Sequence, residues 1–201
     1  MTPEFLYDFG SPNAYLAWRV LPEIEERTGV HFARVPVLLG GIFKETGNVS
    51  PFQRFGPVKG RMEYEMREMS RFLAKHQITN FQMNPHFPQN SLTMMRAAIA
   101  AEEAGNLKAY NAACFKGMWE EGLKMDDAEV FKARLDQDGL PGAMLLAKAS
   151  EAETKAKLVE NTNRAVERGV FGIPSFFVGE ELYFGKDRLG DVELDILRSK
   201  G

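Results

Sequence analysis

Cysteine is almost missing from this chain: Cys114 stands alone among 201 residues. A single thiol cannot close an internal disulfide or form a Cys-x-x-Cys redox pair. Histidine is scarce as well. His31, His76 and His86 are scattered, and with one cysteine they show no zinc or iron spacing, so no metal site is expected. Neither sign of charge dominates: 25 Lys and Arg face 28 Asp and Glu, for a formal net charge of -3. That balance gives no electrostatic reason to expect a nucleic-acid partner. No apolar run approaches the roughly 18 residues of a membrane span, so no transmembrane segment is expected. The opening Met-Thr-Pro-Glu-Phe lacks the basic stretch and small-residue cleavage site of a signal peptide, which points to the cytoplasm. What remains is ordinary globular material, 44% hydrophobic and 26% charged, enough for one domain or a small domain carrying an insertion.

The order of local signals is more informative. Glu4 to Phe9 is short and rich in aromatic and aliphatic residues, a strand that ends at Gly10-Ser11-Pro12. Ser followed by Pro starts a helix well, since Ser can accept from orphan amides and Pro at the first helical position forfeits no hydrogen bond. Ala17, Val20, Leu21 and Ile24 then recur at helical spacing until Gly29, and His31 to Leu39 reads as a second strand. From Gly40 to about Gly169 the pattern is helical. Asn90-Ser91 can cap one helix, and Asp126-x-x-Glu129 and Ser150-x-x-Glu153 resemble capping boxes. Nine of the ten methionines fall between Met62 and Met144, mostly as core filler. Strands return at Ser175 to Val178 and Glu181 to Phe184, joined by a tight Gly179-Glu180 turn, and Asp187 opens a last helix. Strand segments at both ends would share one sheet. The expected class is α/β: a thioredoxin-like domain from residues 1–40 and 170–201, with an inserted all-helical domain over 41–169.

Four places could carry chemistry. Ser11 sits where a helix start offers amides and a positive dipole end, an environment that favours an anion such as a thiolate. The plainer reading is a helix cap. Phe171-Gly-Ile-Pro174 precedes a strand. Pro174 is either an ordinary strand-edge proline or follows a cis bond that turns the Ile173 backbone toward Ser11. Gly185-Lys-Asp-Arg188 is either a solvated cap or a seat for the charged end of a ligand at Asp187. The basic group Lys44, Arg54, Lys59 and Arg61 follows the second strand. It is either solvated surface or, through Lys44 and Arg54, a grip on a substrate carboxylate.

Taken in order, these stretches resemble a known family. Asp8-Phe-Gly-Ser-Pro-Asn-Ala-Tyr-Leu-Ala17, Leu38-Leu-Gly-Gly-Ile-Phe-Lys44, Thr46-Gly-Asn-Val-Ser-Pro51, Asn84-Pro-His-Phe-Pro-Gln-Asn90, Arg168-Gly-Val-Phe-Gly-Ile-Pro174 and Phe184-Gly-Lys-Asp-Arg188 match it along nearly the full length. The chain resembles 2-hydroxychromene-2-carboxylate isomerases and their relatives, the kappa-class glutathione transferases. The resemblance implies glutathione as cofactor, a homodimer and a small aromatic substrate. It implies that Ser11 replaces an attacking cysteine and contacts the glutathione sulfur. Ile173 would pair its backbone with the tripeptide, and Phe184, Gly185, Lys186 and Asp187 would add contacts. Lys44, Asn48, Gln53, Arg54, Gln89 and Asn90 would face the second substrate.

The chemistry implied is reversible addition of the thiolate to a conjugated carbon of the opened chromene, rotation, and elimination to trans benzylidenepyruvate. The rival enzyme activity is glutathione transfer to an electrophile. A non-catalytic glutathione-binding protein is the rival from another class. Disulfide exchange fits poorly, because no second cysteine accompanies Cys114.

Overall fold

The computed structural model describes residues 2–200. The elements run β1 (Glu4–Tyr7), α1 (Pro12–Thr28), β2 (Ala33–Pro36), α2 (Leu39–Thr46), α3 (Pro51–Phe55), α4 (Arg61–Lys75), α5 (Leu92–Glu103), α6 (Leu107–Trp119), α7 (Ala128–Gln137), α8 (Gly142–Lys148) and α9 (Ala152–Glu167). Then come β3 (Ser175–Val178), β4 (Glu181–Phe184), a 3-10 turn (Lys186–Arg188) and α10 (Leu189–Arg198). The sheet order is β2-β1-β3-β4, with β1 and β2 parallel and the other two pairs antiparallel. Strands from the two ends of the chain therefore share one sheet, around a long helical segment. This is the thioredoxin-like α/β arrangement that the element order predicts.

Local chemistry explains the first crossover. Ser11 takes the N-cap position of α1, Pro12 follows it in the first turn, and Gly29 ends the helix at φ 63°. A left-handed residue at that point suits glycine, which has no Cβ to clash. β1 lies inside the sheet, so Phe5, Leu6 and Tyr7 are all buried and read as a continuous apolar run. Phe5 lies 5.4 Å from both Tyr7 and Phe176, and Phe9 is 4.8 Å from Phe115 of α6. Burial of each such ring contributes about 1.5–3 kcal/mol. This aromatic seam ties the sheet to the helical segment. Two polar clasps reinforce it: Tyr7 donates to Asn111 at 2.8 Å, and Trp119 Nε1 donates to the Phe9 carbonyl at 2.9 Å. At the end of β2, Asn161 of α9 donates to the Pro36 carbonyl at 3.2 Å, and just beyond the strand Thr162 accepts from the Leu38 amide at 3.0 Å.

Several expected boundaries move. β1 stops at Tyr7, because the Phe9 carbonyl turns to Trp119 rather than to a neighbouring strand. β2 is also shorter, and Leu38 and Leu39 already belong to the start of α2. The cap of α7 is Asp127, which accepts from the Glu129 and Val130 amides at 3.0 and 3.2 Å; the box predicted from Asp126 is one residue early. Ser150 does not cap α9, which begins after Glu151 with no side-chain cap. Ser91 makes no cap bond to α5 either. Asn90 instead accepts from the Leu92 amide at 3.0 Å. Asp187 lies within the 3-10 turn, and α10 starts two residues later.

Candidate functional site

Ser11 is 5% exposed and reaches two segments at once. Its Oγ accepts from the Ala14 amide at 3.2 Å and donates to the Ile173 carbonyl at 3.3 Å. The second bond is long for a hydroxyl donor, hence weak and readily exchanged. The Ile173–Pro174 peptide is cis, and this loop lies against the α1 start. Among the described residues the Ile173 amide has no hydrogen-bond partner, although Ile173 is only 7% exposed. An amide without a protein partner beside a weakly held carbonyl is an open pair for extended backbone.

Neighbouring loops are knitted to the same point. The Gly185 amide donates to the Pro174 carbonyl at 2.8 Å, which holds the turn after β4 against the cis-proline loop. Asn48 Nδ2 donates to the Phe171 carbonyl at 2.8 Å, and Arg54 reaches the Asn48 side-chain oxygen at 3.3 Å. Phe171 and Phe184 face each other at 4.6 Å, each 43% exposed, and form an aromatic lip. Gly172 makes this possible, because a Cβ there would stand 2.7 Å from the Phe184 ring.

The other sequence-predicted residues divide. Gln53 is exposed beside Arg54 on α3. Lys44 is also exposed, with Glu45 as its nearest carboxylate at 3.9 Å. Gln89 is buried and its amide is occupied: it donates to the Leu123 carbonyl at 3.0 Å and accepts from the Asp126 amide at 3.1 Å. Asn90 is exposed and uses its oxygen on Leu92. Lys186 runs inward, its ammonium 4.9 Å above the Phe72 ring and 2.7 Å from Asp187. Asp187 itself keeps a largely exposed carboxylate. Both line a groove of about 370 Å³ between α1, α4 and α10, whose wall includes Arg27, Arg71, Lys75 and Glu193. Ser11 and Ile173 do not line that groove.

Cys114 and Asp8 are among the groups near the sheet whose proton affinities are displaced. Burial pushes the Cys114 thiol up to about 12, which leaves it a protonated core side chain. Burial also raises the Asp8 carboxyl, while hydrogen bonds from the Leu39 and Gly10 amides and the nearby Ser91 hydroxyl pull it back. Asp8 escaped selection from sequence as a site residue. Its signal was an acid directly after the apolar run Phe5-Leu-Tyr7, three residues before the cap serine.

The residues from Glu4 to Ile196 match the model of a DSBA-like thioredoxin domain, nearly the whole chain. The chain belongs to that family. Within the DSBA-like family it is 26% identical over 196 residues to 2-hydroxychromene-2-carboxylate isomerase of Sphingobium xenophagum, covering 98% of each chain. It is 25% identical to glutathione S-transferase kappa 1 of Rattus norvegicus, covering 92% of this chain and 86% of that one. Among solved structures, a 2-hydroxychromene-2-carboxylate isomerase superposes with a TM-score of 0.85 at 26% identity, covering 100% of this chain and 96% of the other. The family resemblance read from the sequence is thus found again along the full length. In this DSBA-like chain the helix start beside the cis-proline loop carries Ser11, and the lone cysteine lies buried in α6.

Proposed function

We propose that this protein is a glutathione-dependent isomerase acting on 2-hydroxychromene-2-carboxylate or a related aromatic keto acid. The observation that carries the proposal is the Ser11 hydroxyl at the start of α1, 3.3 Å from the carbonyl of the residue before cis Pro174. The names of the isomerase and kappa-transferase relatives support the substrate class and the cofactor.

The residues fit the tripeptide. Ile173 offers an unpaired amide and a carbonyl held only by the long Ser11 bond, the donor and acceptor that an extended cysteinyl unit needs. The Ser11 hydroxyl has one proton. When a ligand N–H takes over the Ile173 carbonyl, that proton becomes free to point at sulfur. Ser11 then acts as a donor that holds negative charge at the helix start, where the dipole favours an anion. Asp187, mostly exposed and paired on one side with Lys186, offers its free edge to the γ-glutamyl ammonium. Glutathione, held by Ser11, Ile173 and Asp187, would supply a thiolate nucleophile capable of reversible addition to a conjugated carbon of the substrate, chemistry in which glutathione is not consumed.

The second substrate falls to residues on the other side of Phe171. Arg54 and Lys44 supply positive charge for the pyruvate carboxylate, and Asn48 holds Arg54 while anchored to the Phe171 carbonyl. Gln53, next to Arg54 on α3, and Asn90 are assigned to the second substrate in the same reading. Phe171 and Phe184 give an apolar wall for an aromatic ring. Gln89 serves through the loop it fixes, since its own amide is occupied. We further propose that the protein works as a homodimer in the cytoplasm, to be checked by light scattering and cell fractionation.

The deciding experiment is a product assay with 2-hydroxychromene-2-carboxylate and glutathione far below the substrate concentration. Full turnover to trans benzylidenepyruvate with glutathione unconsumed supports the proposal. Stoichiometric loss of glutathione into a conjugate would turn the assignment to a transferase, the reading that the kappa relatives favour. Binding without either product would leave a non-catalytic glutathione protein.

A further inference from the structure

We propose that Asp8 is a positioning residue that sets the Ser11 turn and the start of α2 relative to one another through one buried carboxylate. The inference deepens the proposed function, since it rests on Ser11 holding the glutathione thiol. Asp8 is fully buried, one residue past the end of β1. One carboxylate oxygen accepts from the Gly10 amide at 2.8 Å, and the other accepts from the Leu39 amide at 2.8 Å. Its main-chain carbonyl accepts from the Ser11 amide at 3.1 Å. The turn that presents Ser11 is thus gripped twice by Asp8, by side chain and by backbone.

The second oxygen reaches a different element. Leu38 occupies the N-cap position of α2 and its apolar side chain makes no cap bond. Asp8 therefore supplies from just past β1, 31 residues earlier, the acceptor that this helix start lacks. α2 carries Lys44 and leads into Asn48, which is anchored to the Phe171 carbonyl beside Ile173. Ser91, just before α5, lies against the same corner: a Cβ on Gly10 would stand 3.3 Å from Asp8 Oδ1 and 3.5 Å from Ser91 Oγ. The glutathione side and the second-substrate side of the proposed site thereby meet at Asp8.

A plain helix cap is a poorer explanation. A Ser or Asp at position 38 would cap α2 locally, without burying a charge 31 residues away in sequence. What a distant carboxylate adds is two acceptor oxygens facing two amides on separate segments. An asparagine in its place keeps one acceptor but turns a donor NH2 toward the other amide, so only one of the two ties can survive.

The test is Asp8→Asn, close to isosteric, with Asp8→Ala as a second variant. Hydrogen exchange is measured on the glutathione-free protein at a temperature where circular dichroism shows each variant folded. Because both segments share one carboxylate, exchange should quicken together in peptides covering the Ser11 turn and the α2 start, by about tenfold or more. Under the same conditions kcat should fall about tenfold while the KM for glutathione changes less, because misplacement of reacting groups costs rate more than binding. Faster exchange in only one segment, or in neither, overturns the proposal. So does an unchanged kcat in a folded variant that has merely lost thermal stability. If the wild-type protein binds no glutathione, the functional reading falls, and the exchange result alone decides the role of Asp8.

Discussion

Replacement of Ser11 by Ala separates a cap from a chemical group, because Oγ caps α1 in the structure and, in the proposed function, also holds the thiolate. As a cap it accepts from the Ala14 amide at 3.2 Å. Loss of an N-cap costs about 1 kcal/mol, and loss of the long bond to the Ile173 carbonyl adds about 0.5–1 kcal/mol. For a chain of this size, the sum of about 1.5–2 kcal/mol lowers Tm by roughly 3–8 °C. The chemical job is separate. A hydrogen bond to a charged group contributes about 1.5–3 kcal/mol, which at 1.36 kcal/mol per pH unit equals about 1–2 units of thiol pKa. The donor favours the charged thiolate, so its loss raises the pKa of bound glutathione, and the pH–rate profile moves to higher pH. At neutral pH the turnover rate should drop about tenfold to hundredfold in proportion to the lost thiolate. Thiolate absorbance followed against pH on the saturated protein gives the pKa, and initial rates over the same range give the profile. A variant that melts lower yet keeps the same bound-thiol pKa and rate profile would reduce Ser11 to a cap and refute the reasoning.

Asp187→Ala should weaken glutathione binding in calorimetry while leaving the bound-thiol pKa nearly where it was, because the proposed function puts the carboxylate at the other end of the tripeptide; a matching pKa shift would contradict that proposal. Cys114, buried and pushed up to about 12, should be silent to a thiol reagent at mildly alkaline pH in the native protein and react once in concentrated guanidinium. Rapid labelling of the native state would show that α6 is more open than its packing indicates. Burial raises the folded pKa of Asp8 above its unfolded value near ~3.9, so the folded state binds that proton more tightly. Its stabilising share is full below the unfolded pKa and is lost as pH rises through the folded pKa. The stability of the wild type relative to Asp8→Asn should therefore decline as pH rises out of the acid range in denaturant titrations; a rising difference would mean that the hydrogen bonds outweigh burial.

Signals carried by adjacent residues were legible in the sequence. Ser11, Pro12 and Gly29 bound α1 through backbone chemistry within a turn of each end, and Gly179-Glu180 closes the β3–β4 hairpin, with Val178 paired to Glu181. Strand–helix–strand at the start and strand–strand–helix at the end pointed to the thioredoxin-like arrangement, and the ordered family stretches singled out Ser11 and the Ile173–Pro174 loop. Caps were less legible, since Asp126 and Asp127 compete for the same helix start and only the chain path shows which carboxylate meets the free amides. Tertiary structure alone decided which distant groups meet. Ser11 and Ile173 touch across 162 residues, and Asn48 finds the Phe171 carbonyl across 123. It also decided what polar side chains have left to offer: the Gln89 amide is consumed by Leu123 and Asp126, and the Lys186 ammonium is turned over Phe72. The Asp8 carboxylate became a site residue only when α2 folded back to donate to it. The physical reason is one of range. Caps, turns and periodicity are set by bonds within a few residues, whereas burial and the pairing of buried polar groups depend on which surfaces the finished core presses together.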